Sequence, residues 1–233
     1  MSLAEEASSV PDNETIEGTA DQVVASLYRH HLFAARHLSE LACQLEDANP
    51  GSTDPEIVRR HRAYVIGSVL SAAAFLEASI NELYLEVQGH LVNGSDGGRR
   101  VLSVPAHFWS SVARPPILHK YQLALVVADA EPFDESRSPF READALVALR
   151  DALVHGRIEW RDQHGRRQNL ERRLRAKFKH NTLSSAGGAE FPDQLLGAGC
   201  AGWAVKVVEQ FSGGFCRRMA IPARGVGPLE SSP

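Results

Sequence analysis

The sequence predicts an all-α protein, and three observations carry that expectation. Apolar residues recur at steps of three and four over long stretches, helix start and stop signals bracket those stretches, and alternation of period two is scarce. Long helices joined by mostly short polar links imply an up-and-down helical bundle with little strand. At 233 residues the chain is long enough for one substantial core with flexible ends.

The elements follow in order. Residues 1–18 are rich in Ser, Asp, Glu and Pro without periodicity and read as a flexible tail. Over residues 19–47 Val23, Val24, Leu27, Leu38, Leu41 and Leu45 mark a first helix, which Asn49-Pro50-Gly51 ends. Asp54 then supplies an N-cap and Pro55 a first helical residue for a long helix over 54–92, closed by Asn93-Gly94. After a Gly-rich loop, Pro105 suits the start of a short helix, and Pro115-Pro116 separates it from a helix over 117–130. Pro132 and Pro139 bracket a loop. A fourth main helix spans 140–155, with Gly156 as its stop. The Ile158-Glu159-Trp160 stretch suits a brief strand or turn, residues 157–190 form a basic and Ser/Gly-rich insertion, and Asp193 or a neighbour opens a last helix over 194–220. Residues 221–233 read as a second flexible tail, so the expected domain covers 19–220.

Composition removes several function classes. No uninterrupted apolar run approaches the roughly 18 to 20 residues that span a bilayer, and the acidic start is unlike a signal peptide, so a cytoplasmic protein with no membrane partner is expected. The net charge of −4 argues against coating nucleic acid by bulk charge while leaving room for a local basic patch. Cys43, Cys200 and Cys216 lack CxxC spacing and read as reduced, packed thiols. No phosphate loop, dinucleotide fingerprint, zinc-protease helix or nucleophile elbow occurs, and His30-His31 with His37 lacks a metal spacing. Neither a cofactor nor a metal is expected.

One helix carries the chemistry. At 100° per residue Leu146, Leu149, Leu153 and Val154 share an apolar face, and Arg150 falls near its middle. A guanidinium cannot shed its charge, so it needs a carboxylate, a crevice or another subunit there. Glu77, bordering the apolar face of the second helix, is the first choice of partner, and in a buried pair its removal would cost roughly 3 to 5 kcal/mol. Five residues on, His155 stands at the helix end. Periodicity alone does not put it on the Arg150 face, but a tightened last turn or a two-fold partner helix brings such groups together. A structural ion pair for Arg150 and a helix-end role for His155 also fit.

The segment Leu149-Arg150-Asp151-Ala152-Leu153-Val154-His155-Gly156 resembles the signature of HEPN domains, in which an Arg, usually followed by a polar residue, precedes a His by four to six positions. Ala74-Phe75-Leu76-Glu77-Ala78-Ser79-Ile80-Asn81-Glu82-Leu83-Tyr84 is similar to the second helix of many bacterial members. Pro116-Ile117-Leu118-His119-Lys120-Tyr121 and Cys200-Ala201-Gly202-Trp203-Ala204 extend the likeness over roughly residues 20–220. The resemblance implies a bundle that pairs through its signature helices as a homodimer. Many members are metal-independent endoribonucleases, while others bind nucleotides or have lost activity, so RNA and an antitoxin protein are the implied partners. It implies Arg150 and His155 as catalytic residues beside Asp151, which stands where Asn is common. Glu77 and Asn81 are expected in support.

Metal-free RNA cleavage needs a base, an acid and a cation, which imidazole and guanidinium supply. A cationic strip follows directly: Arg157, Arg161, Arg166, Arg167, Arg172, Arg173, Arg175, Lys177 and Lys179, against Glu159, Asp162 and Glu171. Such a strip suits an RNA backbone, and it equally suits a solvated basic loop or helix. Trp160, Phe178 and His180 either stack bases or anchor the segment on the bundle.

Overall fold

The computed structural model describes residues 26–93, 115–155, 166–183 and 193–224. Six α-helices account for most of them, and no strand occurs among the described residues. They are α1 (Leu27–Ala48), α2 (Pro55–Asn93), α3 (Ile117–Val127), α4 (Phe140–Val154), α5 (Arg166–Leu174) and α6 (Ala198–Met219). The expected start of the first helix before residue 26, the short helix at Pro105, the brief strand at 158–160, the tail over 1–18 and residues 225–233 of the second tail lie outside the described residues, whereas residues 221–224 are described.

The central helix is α2. Its first turn forms as its sequence dictates: Asp54 Oδ1 accepts the Glu56 N–H at 2.8 Å, and Pro55 fills the first helical position. Val65, Val69, Ala72, Ala73, Phe75, Leu76 and Ile80 are fully buried along it. Helix α1 runs antiparallel to it, with Tyr28 opposite Glu82, Ala35 opposite Ser68 and Glu46 opposite His61. Small residues bring the two axes close. Ala35 and Ala42 are fully buried, and a Cβ on Gly67 would lie 2.9 Å from Leu38 Cδ1. Within α2, Pro55–Glu86 is the one stretch among the described residues long and apolar enough to cross a membrane, with a mean hydropathy of 1.6. Half of that window is buried inside the bundle, which is the position of a core helix.

Helix α6 closes the core. Phe211 and Phe215 set their rings against Tyr121 of α3 at 4.9 and 4.8 Å in edge-on geometry. The Tyr121 hydroxyl donates to Leu76 O at 2.8 Å, so α3, α6 and α2 are locked at one level. Burial pushes the Tyr121 phenol up, which keeps it a neutral donor.

Two helix ends differ from expectation for identifiable reasons. Helix α3 stops at Val127 rather than 130, because Asp129 turns left-handed (φ 55°). The Ala130 N–H then reaches Leu125 O and the Asp129 N–H reaches Val126 O, closing a Schellman motif. Helix α6 begins at Ala198 rather than 194. Its cap comes from another helix: the Glu46 carboxylate at the end of α1 accepts the Ala198 N–H. The same carboxylate accepts His61 Nε2–H at 2.7 Å and the Thr182 hydroxyl at 2.9 Å. Glycines make room for this junction. A Cβ on Gly199 would sit 2.4 Å from Lys179 O, and one on Gly197 would sit 2.6 Å from Asn181 Cα.

Burial pushes the Glu46 carboxyl up, but hydrogen bonds from His61, Ala198 and Thr182 outweigh it and hold it below its ordinary value of 4.5. The folded carboxyl thus binds its proton less tightly than the unfolded one. Its contribution to stability is complete above the unfolded value and is lost as pH falls through the folded one. As pH falls below about 4.5, the urea midpoint of the wild type should fall more steeply than that of Glu46→Gln, while above that value the two should run parallel. Identical pH profiles for the two proteins would reject this account.

Candidate active site

The residues singled out by sequence come from α2 and α4, with an unanticipated contribution from α3. Arg150, on α4, directs Nη2 to Glu77 Oε2 of α2 at 2.9 Å, the pairing expected from the sequence. Its Nη1 lies 2.9 Å from Oδ1 of the neighbouring Asp151. One guanidinium therefore stands between two carboxylates. The pair is only partly buried. The Arg150 side chain is 25% exposed and that of Glu77 44%, so the pair lies at the rim of the bundle rather than inside it.

The helical wheel misplaced the buried face by part of a turn. Phe140, Ala143, Ala145, Leu146, Leu149 and Ala152 are the buried residues of α4, whereas Val154 is 55% exposed. Arg150 sits at the edge of that face, where water reaches it. His155 is the last residue of the turn, with its N–H on Asp151 O at 3.0 Å and its side chain exposed. No bend swings it into the bundle. Arg150, Asp151 and Glu77 are thus joined by direct bonds, and His155 stands at the open end of the same helix.

Asn81, one turn after Glu77 on α2, does not bond to either of these carboxylates. Its Oδ1 accepts the ammonium of Lys120 at 2.9 Å, and the Tyr84 hydroxyl donates to Lys120 O at 2.7 Å. Burial pushes the Tyr84 phenol up to about 12, so it remains protonated. Lys120 is 4% exposed, a buried cation that charge counting along the chain did not single out. A signal exists: Ile117 and Ala124, three before and four after it on α3, are both buried. A charge within an apolar stripe is the feature that marks Arg150, and it marks Lys120 equally.

The basic strip is largely engaged where it is described. Arg173 pairs with Asp144 at 2.7 Å, Lys177 with Glu142 at 2.8 Å, and Arg175 with Glu171 at 2.5 Å. The first two pairs hold α5 and the turn after it against α4. Burial raises the Glu142 carboxyl, but Lys177, Ser138 and Arg141 overcome that and bring it to about 2. Arg172 and Lys179 are exposed. Arg166 and Arg167 open α5, while Arg157 and Arg161 lie outside the described residues, as does Trp160. Phe178 packs on Trp203 at 5.3 Å and against the core, so it anchors the segment. His180 is exposed.

The remaining histidines do not converge. His30 Nδ1 faces Ser26 O and His37 stacks on Phe33, and among the described residues no three metal-ligating side chains form a cluster. Compared with protein-family models, curated proteins and solved structures, the chain matches none.

The exposure of the Arg150–Glu77 pair sets its energetic scale. Glu77→Gln should cost about 1 kcal/mol or less, as for other partly exposed pairs, and not the larger penalty of an orphaned buried charge. Asp151 remains to hold the guanidinium. Urea titration of the variant checks this, and a loss of roughly 3 kcal/mol or more would restore the buried-pair description.

Proposed function

We propose that the chain is a metal-independent endoribonuclease of the HEPN type, acting in the cytoplasm as a homodimer with Arg150 and His155 at the shared site. A toxin–antitoxin or other bacterial defence setting follows from the same resemblance. The observation that carries the reading is the end of α4. A guanidinium fixed by Glu77 and Asp151 stands at the rim, and a solvent-exposed imidazole follows at the helix terminus.

The chemistry balances with these groups. An imidazole takes the proton of a ribose 2′-hydroxyl as O2′ attacks phosphorus, and the O2′–P bond forms. Charge grows on the non-bridging oxygens, where a planar guanidinium gives two parallel donors. A protonated imidazole gives its proton to O5′ as the P–O5′ bond breaks. The products are a 2′,3′-cyclic phosphate and a 5′-hydroxyl. One imidazole cannot be base and acid at the same instant, and pairing two copies through α4 supplies the second. Val154, exposed beside His155, supports that arrangement as apolar surface for a partner copy to cover.

A second reading is a non-catalytic module of the same type that binds RNA, a nucleotide or a protein partner. One observation favours it: Arg150 already faces two carboxylates, and a phosphate must displace at least one. Incubation with total RNA in EDTA, with mapping of 5′-hydroxyl ends, separates the two. On the nuclease reading His155→Ala loses cleavage by roughly 10²-fold or more while folding and RNA affinity stay near wild type. Arg150→Ala loses turnover and some stability, because its guanidinium also pairs with Glu77 and Asp151. Neutralising Arg166, Arg167 and Arg172 together, with the Arg173–Asp144 pair left intact, weakens RNA binding at every sequence and flattens its salt dependence. Cleavage by His155→Ala at the wild-type rate rejects the assignment. RNA binding without cleavage by the wild type favours the module.

A further inference from the structure

The Lys120–Asn81 contact fixes an atom assignment that isolated amides leave open. An ammonium has three donors and no acceptor, so the Asn81 atom 2.9 Å from Lys120 Nζ is the carbonyl oxygen. The amide nitrogen consequently points the other way. Among the described residues Asn81 Nδ2 has no hydrogen-bond partner, and the only buried side-chain nitrogen or oxygen lacking one is Glu142 Oε2. Among the described residues Nδ2 is thus neither sealed nor engaged, consistent with the half-buried position of Asn81. Residues four apart on a helix have Cβ atoms about 5–6 Å apart, which sets this donor one turn from Glu77 and its partner Arg150.

We propose that Asn81 Nδ2, oriented by the Lys120 ammonium, is a second phosphate-oxygen donor of the Arg150 site, gripping a non-bridging oxygen of an RNA phosphodiester beside the guanidinium. Lys120 acts as a positioning residue. It is too deeply buried to meet the phosphate, but it holds the amide in one orientation and polarises it, which strengthens the outward N–H donors. Glu77 leaves Arg150 partly neutralised, so an uncharged donor adds grip without adding an unpaired charge to the rim. The proposal rests on the nuclease reading for its substrate, not for the direction of the donor.

The test uses the full chain, a single-stranded RNA oligonucleotide, and the 2′-deoxy oligonucleotide of the same sequence, which has no 2′-hydroxyl to react. Asn81→Asp keeps an acceptor for Lys120 and removes both donors. It should retain the wild-type helical spectrum, bind the deoxy oligonucleotide about tenfold more weakly, and cleave RNA roughly 10²-fold more slowly. Lys120→Met should show a smaller loss of the same kind, and Lys120→Arg should recover most of it. In the wild type the Asn81 side-chain amide proton resonances should shift when the deoxy oligonucleotide is added, a readout that does not depend on any variant folding. Wild-type binding and cleavage by folded Asn81→Asp, or amide resonances that stay in place as the oligonucleotide saturates, overturn the proposal and leave the nuclease reading standing. Weakened deoxy-oligonucleotide binding by Asn81→Asp, with no RNA cleavage by the wild type, sustains the donor and removes the nuclease reading. A wild type that neither binds nor cleaves overturns both.

Discussion

The carboxylate of Glu46 is the joint on which the bundle closes. It is 6% exposed, and a buried carboxylate is costly unless its lone pairs are filled. Here they are filled from three directions: the ring of His61 on α2, the hydroxyl of Thr182, and the first N–H of α6. That last bond places a negative charge at a helix N-terminus, where the aligned peptide dipoles favour it. It also fixes where α6 starts, and hence where Phe211 and Phe215 meet Tyr121. Tyr121 in turn reaches Leu76 O, one residue before Glu77, and is itself one residue after Lys120. The position of the α3 cation on α2 therefore depends on a junction at the other end of α1.

Helix α1 uses the same device in reverse. It has no side-chain cap of its own, and Glu82 of α2 accepts its Tyr28 N–H at 3.1 Å. Two antiparallel helices thus exchange services: α1 lends Glu46 to α6, and α2 lends Glu82 to α1. Glutamates in these places look, in sequence, like ordinary helix-favouring residues. That is why the α6 boundary was not legible there. The Asp54-Pro55 start was legible because both its cap and its first turn are local. Asp129 is the intermediate case, since a left-handed Asp is a permitted but uncommon stop that the apolar spacing up to Ala130 masks.

The candidate site was legible to the extent that charges at apolar edges call for partners. Arg150 and Glu77 are opposite charges on helices bound to pack together, and they meet. Their depth was not legible, because a wheel gives direction around one helix and nothing about how far a neighbour covers it. The exposure of Val154 records where that cover ends. The basic strip shows the converse. Counting its charges suggests a free cationic surface, yet Asp144 and Glu142, a helix away in sequence, take up Arg173 and Lys177.

What unites the site is a polar seam along α2. Glu77, Asn81 and Tyr84 lie at steps of four and three along α2, and each engages another helix: Arg150 of α4, the Lys120 ammonium, and the Lys120 carbonyl. Burying apolar groups there would give a bundle of similar stability at less electrostatic cost, since a paired charge seldom outperforms a packed hydrocarbon. At the rim, where Arg150 is 25% exposed, the seam is a partly solvated pair of small energetic weight. It places two cations on adjacent turns of one helix face, one open to water and one sealed, with a neutral amide between the sealed cation and solvent. Glu77 and Asp151 offset Arg150 at the rim, and Asn81 meets Lys120 in the core, so neither cation is left bare.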